Sequence, residues 1–245
     1  MAESFEDGIH RAVGMSDLAS LLAAAFCFPE DGRLADALVD DSFLADWRAS
    51  WEDACGASGG ADETEAAGCG ASFARVGWGE LRREYSRLFL TPGVDVPVWP
   101  YESCFLHRES GAEGTPSLFR TYASLDVERQ MAEAGVRPAH ARTEPVDSVF
   151  LELDFLAHLY ARWGETLRLE SEGEPAPDGS SEEWASCIAS FASDHALKWL
   201  PSFMRQVRER SRLAAYRELA DLGLFYLEEL GKDADVFSAK EEVPA

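Results

Sequence analysis

Carboxylates set among apolar residues are where this chain holds its chemistry. The stretch 144–163 reads EPVDSVFLELDFLAHLYARW and repeats Phe150, Leu151, Phe155, Leu156, Leu159 and Tyr160 at helical spacing. At 100° per residue, Glu152 falls on the side of Ser148, Phe155, Leu156 and Leu159, opposite Asp154. A charge buried there without a partner costs several kcal/mol. Glu152 therefore needs an Arg, a Lys or backbone donors, or it faces a groove; it is a structural acceptor or a binding group. Asp147 is expected to cap this helix, with Pro145 near its start. A second set follows Pro100: Tyr101, Glu102 and Ser103. Glu102 and Ser103 either cap the next short helix or line a peptide groove, with Tyr101 as its apolar wall and Glu102 receiving a cation.

Other reactive side chains form no catalytic pattern. His158 stands one turn from Asp154 and from Arg162, a stripe that reads as a surface pair rather than a base with its orienting acid. His195 lies near a helix end, where imidazolium is favoured. No HExxH and no phosphate-cradling glycine pattern is present, and the GASGG stretch at 56–60, although it spells G-x-S-x-G, lacks the flanking strand of a nucleophile elbow and reads as linker composition. The five cysteines (27, 55, 69, 104 and 187) have no CxxC spacing, so zinc and iron–sulfur sites are not expected. We assign no catalytic residue, no metal and no cofactor. Arg82, Arg83 and Arg87 form a rare basic cluster, with Glu80, Glu84 or the distant Glu152 as candidate partners.

The elements that position these groups read as helices throughout. Leucine and alanine outnumber valine and isoleucine, which favours helix over sheet. After a frayed start over 1–14, Ser16 or Asp17 caps a helix to about Phe28, which Pro29 stops. Helices follow at 31–40 and 42–53, the latter with Trp47 and Trp51 in the core. Residues 54–72 are small, Gly-rich and acidic, a loop. The next helix covers 73–90. The Pro-rich stretch from 91 is extended and must pack its aromatic residues on something. A helix over 116–134 carries Leu118, Tyr122, Leu125, Val127 and Met131, and Gly135 ends it. Residues 168–182 form a second mobile loop. Helices 182–196, 198–208 (with Pro201 in its first turn) and 210–230 precede a loose tail from Gly231. The expectation is an all-α chain, a single compact bundle of nine to eleven helices in one domain over 1–245.

Composition narrows the function class. The 245 residues, 46% apolar, suffice for one sizeable core. Forty-five acidic against 22 basic residues leave a formal charge of −23, which repels nucleic acid and anionic membranes and favours basic partners. The start of the chain lacks a secretory signal, and the apolar run Leu18–Phe28 is too short to cross a bilayer. Scattered cysteines suit a reducing cytoplasm. Together these point to a binding protein whose partner is an apolar peptide carrying arginines, because arginine pairs bidentately with carboxylates and keeps its charge when desolvated. The other class is a small helical hydrolase using Asp147 or Glu152.

Three stretches resemble a known family. Tyr85-x-x-Leu88-Phe89 leading to Pro100-Tyr101-Glu102-Ser103 is similar to a "YxxLF … PYES" segment. Glu144-Pro145-Val146-Asp147-Ser148, then Glu152-Leu153-Asp154-Phe155-Leu156, is similar to "EPxDH … ELEFM". His195-x-x-x-Trp199-x-x-x-Phe203 is a third, shorter match. Together they resemble the TorD/DmsD/NarJ family of redox-enzyme maturation chaperones. The resemblance implies a cytoplasmic all-helical chaperone without catalysis of its own. Its partners would be the apo catalytic subunit of a molybdopterin-dependent oxidoreductase and that subunit's basic N-terminal twin-arginine signal peptide. The subunit would be held until its cofactor is inserted. A nitrate-reductase-type factor serving a non-exported enzyme is the close alternative. Weak guanine-nucleotide binding belongs to some members; a monomer is expected, with a dimer as the alternative. The peptide site would comprise Tyr101, Glu102, Ser103, Asp147, Ser148 and Glu152. Ser148 stands where the family often has His, so half of an Asp–His pair is missing; a serine donates a hydrogen bond but does not switch charge near neutral pH.

Overall fold

The computed structural model describes residues 2–56, 73–92, 96–114, 116–139 and 144–241. Its helices are α1 (Ala2–Phe26), α2 (Arg33–Val39), α3 (Ser42–Cys55), α4 (Trp78–Phe89), α5 (Glu102–Glu109), α6 (Tyr122–Glu133), α7 (Val149–Glu172), α8 (Ser181–Phe191), α9 (Leu197–Arg210) and α10 (Ala214–Glu241). A 3-10 turn, Phe73–Arg75, precedes α4, and a π-turn, Ala192–Ala196, fuses α8 to α9. Among the described residues the only pairing of extended backbone is one bridge, Tyr101 with Ser148. The all-α expectation holds.

The apolar stripe read over 144–163 becomes the middle of the architecture. α7 lies along α1 and against α8, while α1 also packs on α3 and α10 on α9. Leu153, Phe155, Leu156, Leu159 and Tyr160 of α7 are all buried. Two glycines permit close helix approach. A Cβ at Gly14 of α1 would lie 2.3 Å from the backbone nitrogen of Ala54 and 2.4 Å from the carbonyl oxygen of Ser50. At Gly164 of α7 it would lie 2.9 Å from the Ala12 Cβ. Buried polar groups add a second tie between sequence-distant helices. Arg11 of α1 donates to Asp233 (2.9 and 3.1 Å) and Glu229 (2.9 Å) of α10 and to the Ala54 carbonyl (2.9 Å). The Tyr160 hydroxyl donates to Asp233 at 2.6 Å.

Several boundaries differ from the sequence reading. The chain is helical from Ala2, with no frayed start, and Ser16 lies inside α1, donating to the Ala157 carbonyl of α7 at 3.0 Å instead of capping. The tail past Gly231 is the end of α10, held by buried Asp233, Ala234 and Phe237. α6 starts at Tyr122, because the Thr121 hydroxyl accepts the Ser124 amide and makes the cap there. Leu118, Tyr122 and Leu125, assigned to its apolar face, are exposed at 38%, 89% and 47%; only Val127 and Met131 of that set are buried. α7 runs to Glu172, so the 168–182 loop shrinks to Gly173–Ser180. Pro201 lies within the fused α8–α9 rod, one turn beyond the π-turn, not in the first turn of a separate helix. Ala54 and Cys55 finish α3, while 57–72, Cys69 and Val94 lie outside the described residues.

Candidate functional site: a junction of buried carboxylates

The two stretches that carry the chemistry, 44 residues apart, are stitched into one junction. The Glu102 amide donates to the Asp147 carbonyl at 2.8 Å, the Ser103 amide to Asp147 Oδ2 at 3.0 Å, and the Val149 amide to the Pro100 carbonyl at 2.9 Å. The Tyr101 hydroxyl is hydrogen-bonded to Glu144, and burial together with that carboxylate pushes its pKa up. The pattern is dictated by helix ends. The first amides of α5 have no intrahelical acceptor, and Asp147 supplies two. Asp147 thus caps α5 and not its own helix, whose N-cap is Ser148 without a side-chain bond. Glu102 and Ser103 do not cap α5 either; they receive the cap.

Behind this seam the carboxylates turn inward. Glu102 is 2% exposed, and Asp147, Ser148 and Glu152 are fully buried. Glu102 Oε2 lies 2.8 Å from His195 Nδ1, and the other ring nitrogen lies 3.0 Å from Asp126 Oδ2 on α6. Burial pulls the His195 pKa down, but hydrogen bonds and charge from Glu102 and Asp126 outweigh it and hold it above the ordinary value. One turn along, the Trp199 indole donates to Glu152 Oε2 at 2.8 Å. Burial drives the Glu152 pKa well above the carboxylate range, the charge of Glu102 adds to that, and the Trp199 bond opposes it. Among the described residues Ser103 Oγ, Asp147 Oδ1, Ser148 Oγ and Glu152 Oε1 are buried and have no protein partner.

All six sequence-assigned residues, Tyr101, Glu102, Ser103, Asp147, Ser148 and Glu152, therefore meet at one place. Sequence reasoning missed how His195 and Asp126 join them. The available signal was the i, i+4 spacing of His195 and Trp199, which puts two polar-headed rings on one face of an apolar helix, each at the height of a buried glutamate. The π-turn widens the rod at His195. The partner of Glu152 is an indole, not an arginine. Arg87 instead forks onto Glu84 (2.7 and 2.8 Å), which also accepts from Ser211 and from the Arg212 amide at the α9–α10 corner. Burial opposes ionisation of Glu84, yet these donors bring its pKa down to about 2. The stripe of Asp154, His158 and Arg162 is only partly open to solvent. Asp154 is exposed, while His158 packs between the rings of Phe155 and Trp184, and Arg162 lies over Trp184 and pairs with Asp178. No group of three or more His, Cys, Asp or Glu side chains suited to a metal ion occurs among the described residues, and no helix there is long and apolar enough to cross a membrane.

Comparison with known proteins matches residues 43–205 to the nitrate reductase delta subunit family. The chain is 27% identical over 143 residues to chaperone protein TorD of Vibrio parahaemolyticus serotype O3:K6, covering 58% of this chain and 59% of the relative. It is 25% identical over 150 residues to TorD of Vibrio cholerae serotype O1, covering 61% and 60%. With TorD of Photobacterium profundum the identity is 24% over 143 residues, 58% of each. The match spans about three fifths of the length of these relatives.

Proposed function

The chain belongs to the nitrate reductase delta subunit family of TorD/NarJ-type maturation chaperones, and from that premise we propose that it binds the apo catalytic subunit of a molybdopterin-dependent oxidoreductase and assists its assembly. Recognition runs through the subunit's basic N-terminal signal peptide, in the cytoplasm, with the chain acting as one helical domain. The observation that carries this reading is the junction itself. Two motifs distant in sequence converge on three inward carboxyl groups, and two of these, Asp147 and Glu152, keep an oxygen without a protein partner among the described residues. Such acceptors match arginine donors. A single buried cluster running from α1 to α10 supports the one-domain reading.

The arrangement favours binding over catalysis. An acid–base histidine needs one ring nitrogen for its substrate, and both nitrogens of His195 are occupied by carboxylates. Among the described residues the one hydrogen-bond partner of the Glu152 carboxyl oxygens is the Trp199 indole, which is no acid–base group. The test is calorimetric titration with a synthetic signal peptide carrying the arginine pair and with the same peptide bearing glutamines there. Saturable binding of the first and at least tenfold weaker binding of the second is the expected result; equal binding or none would refute the peptide assignment. The family description favours a second reading, a nitrate-reductase-type client, which we propose as one that is not exported. In that case apo-subunit capture persists while the isolated peptide binds weakly.

A further inference from the structure

We propose that α6 is a hinged cover that swings off the core to admit the client segment to the Glu102–His195 face beneath it; this rests on the peptide-binding reading above. As the chain stands, Glu102, Asp147, Ser148 and Glu152 have 2% exposure or less, so no peptide reaches them. α6 is the element over the Glu102 end of this face. Its Asp126 lies on His195 Nε2, and His195 in turn lies on Glu102.

The attachment of α6 is thin. Of its twelve residues only Ser124, Val127 and Met131 are buried, and its main helical neighbour is the short α5. Asp126, Arg129, Gln130 and Glu133 also bond among themselves, which holds the helix together without fixing it to the core. Its last turn is flanked by a cleft on each side, with a hydrogen bond between the Ala134 backbone and His158 of α7 tying it down between them. A cleft of about 350 Å³ runs between Met131, Val136 and Pro138 on one wall and Leu151, Phe155 and His158 on the other. A second, of about 440 Å³, separates Gln130, Glu133 and Ala134 from Leu159 and Trp184 and also touches Phe155. The ends carry hinge geometry: Arg120 at φ 58° before the helix and Gly135 at φ 77° after it. Beside the first hinge, Phe119 and Tyr122 are exposed at 43% and 89%, apolar surface that an incoming apolar peptide meets first.

Two measurements decide it. Amide hydrogen exchange on the free full chain should show residues 122–133 opening well before α7, and Asp126→Asn should speed α6 by about tenfold while leaving α7 and α9 unchanged. Exchange of α6 at the α7 rate in both proteins would overturn the cover. Asp126 is partly exposed, so its substitution leaves the core in place. Stopped-flow association of the twin-arginine peptide should then be several-fold faster with Asp126→Asn than with the unsubstituted chain. Equal association rates with measurable affinity would overturn α6 as the entrance and leave the peptide reading intact. No binding by either protein would overturn that reading and the admitting role with it, while the exchange result still decides whether α6 opens.

Discussion

At Glu152 one indole N–H separates a fully buried carboxyl group from isolation. Trp199→Phe removes it while keeping an aromatic ring, and is expected to cost at least about 1–3 kcal/mol in denaturant unfolding, the smaller ring adding a cavity term. Because burial raises the Glu152 pKa, the folded chain holds a proton that the unfolded chain gives up above about pH 4.5. Its contribution is therefore intact below that value and drains away as pH rises towards the folded pKa. A glutamine in its place does not titrate, so the melting-temperature advantage of Glu152→Gln over the unsubstituted chain should widen between about pH 5 and pH 8. A constant difference would contradict the direction of the shift. His195, faced by Glu102 of α5, Asp126 of α6 with Arg129 beside it, and the Phe191 ring, works with the same sign: its contribution is full below about pH 6.5 and fades above. Glu84 runs the other way, stabilising above about pH 4.5 and losing that contribution as pH falls towards about 2. Much of this chemistry was legible one residue at a time. The side of α7 on which Glu152 lies follows from helical geometry, but its donor does not, because Trp199 is 47 residues away and belongs to another helix.

Helices are legible wherever a polar face alternates with an apolar one, as in α3 and α4. They are misread where a tertiary partner overrides local preference. Residues 1–14 read as a frayed start, yet Arg11 finds acceptors on α10 and Gly14 meets the α3 backbone, so the helix forms. The tail past Gly231 departs from its reading for the complementary reason: Asp233 is the other half of that contact. Gly14→Ala places a methyl against backbone atoms that cannot rotate away, and should destabilise by about 1–3 kcal/mol, read from the denaturation midpoint. An unchanged midpoint would mean that α1 and α3 slide apart freely. α6 shows the opposite failure. Its sequence has an apolar stripe, but Tyr122 and Leu125 find nothing to cover them, and periodicity alone does not distinguish a core face from one awaiting a partner.

Across the whole molecule the dominant property is charge. At −23 the chain draws basic segments from a distance and repels polyanions. The association rate of the twin-arginine peptide should fall about tenfold or more as salt is raised from low to roughly 0.5 M, with a smaller change in dissociation. A salt-independent on-rate would place the docking face away from the acidic surface. The Arg11–Asp233 tie has a further consequence, in time. Its two ends lie 222 residues apart, and at about 5–20 residues per second a ribosome needs roughly 10–45 s to supply the second after the first. Through that interval α1 carries a guanidinium built for burial without the carboxylates that take it in, so the core closes only once residue 233 has emerged.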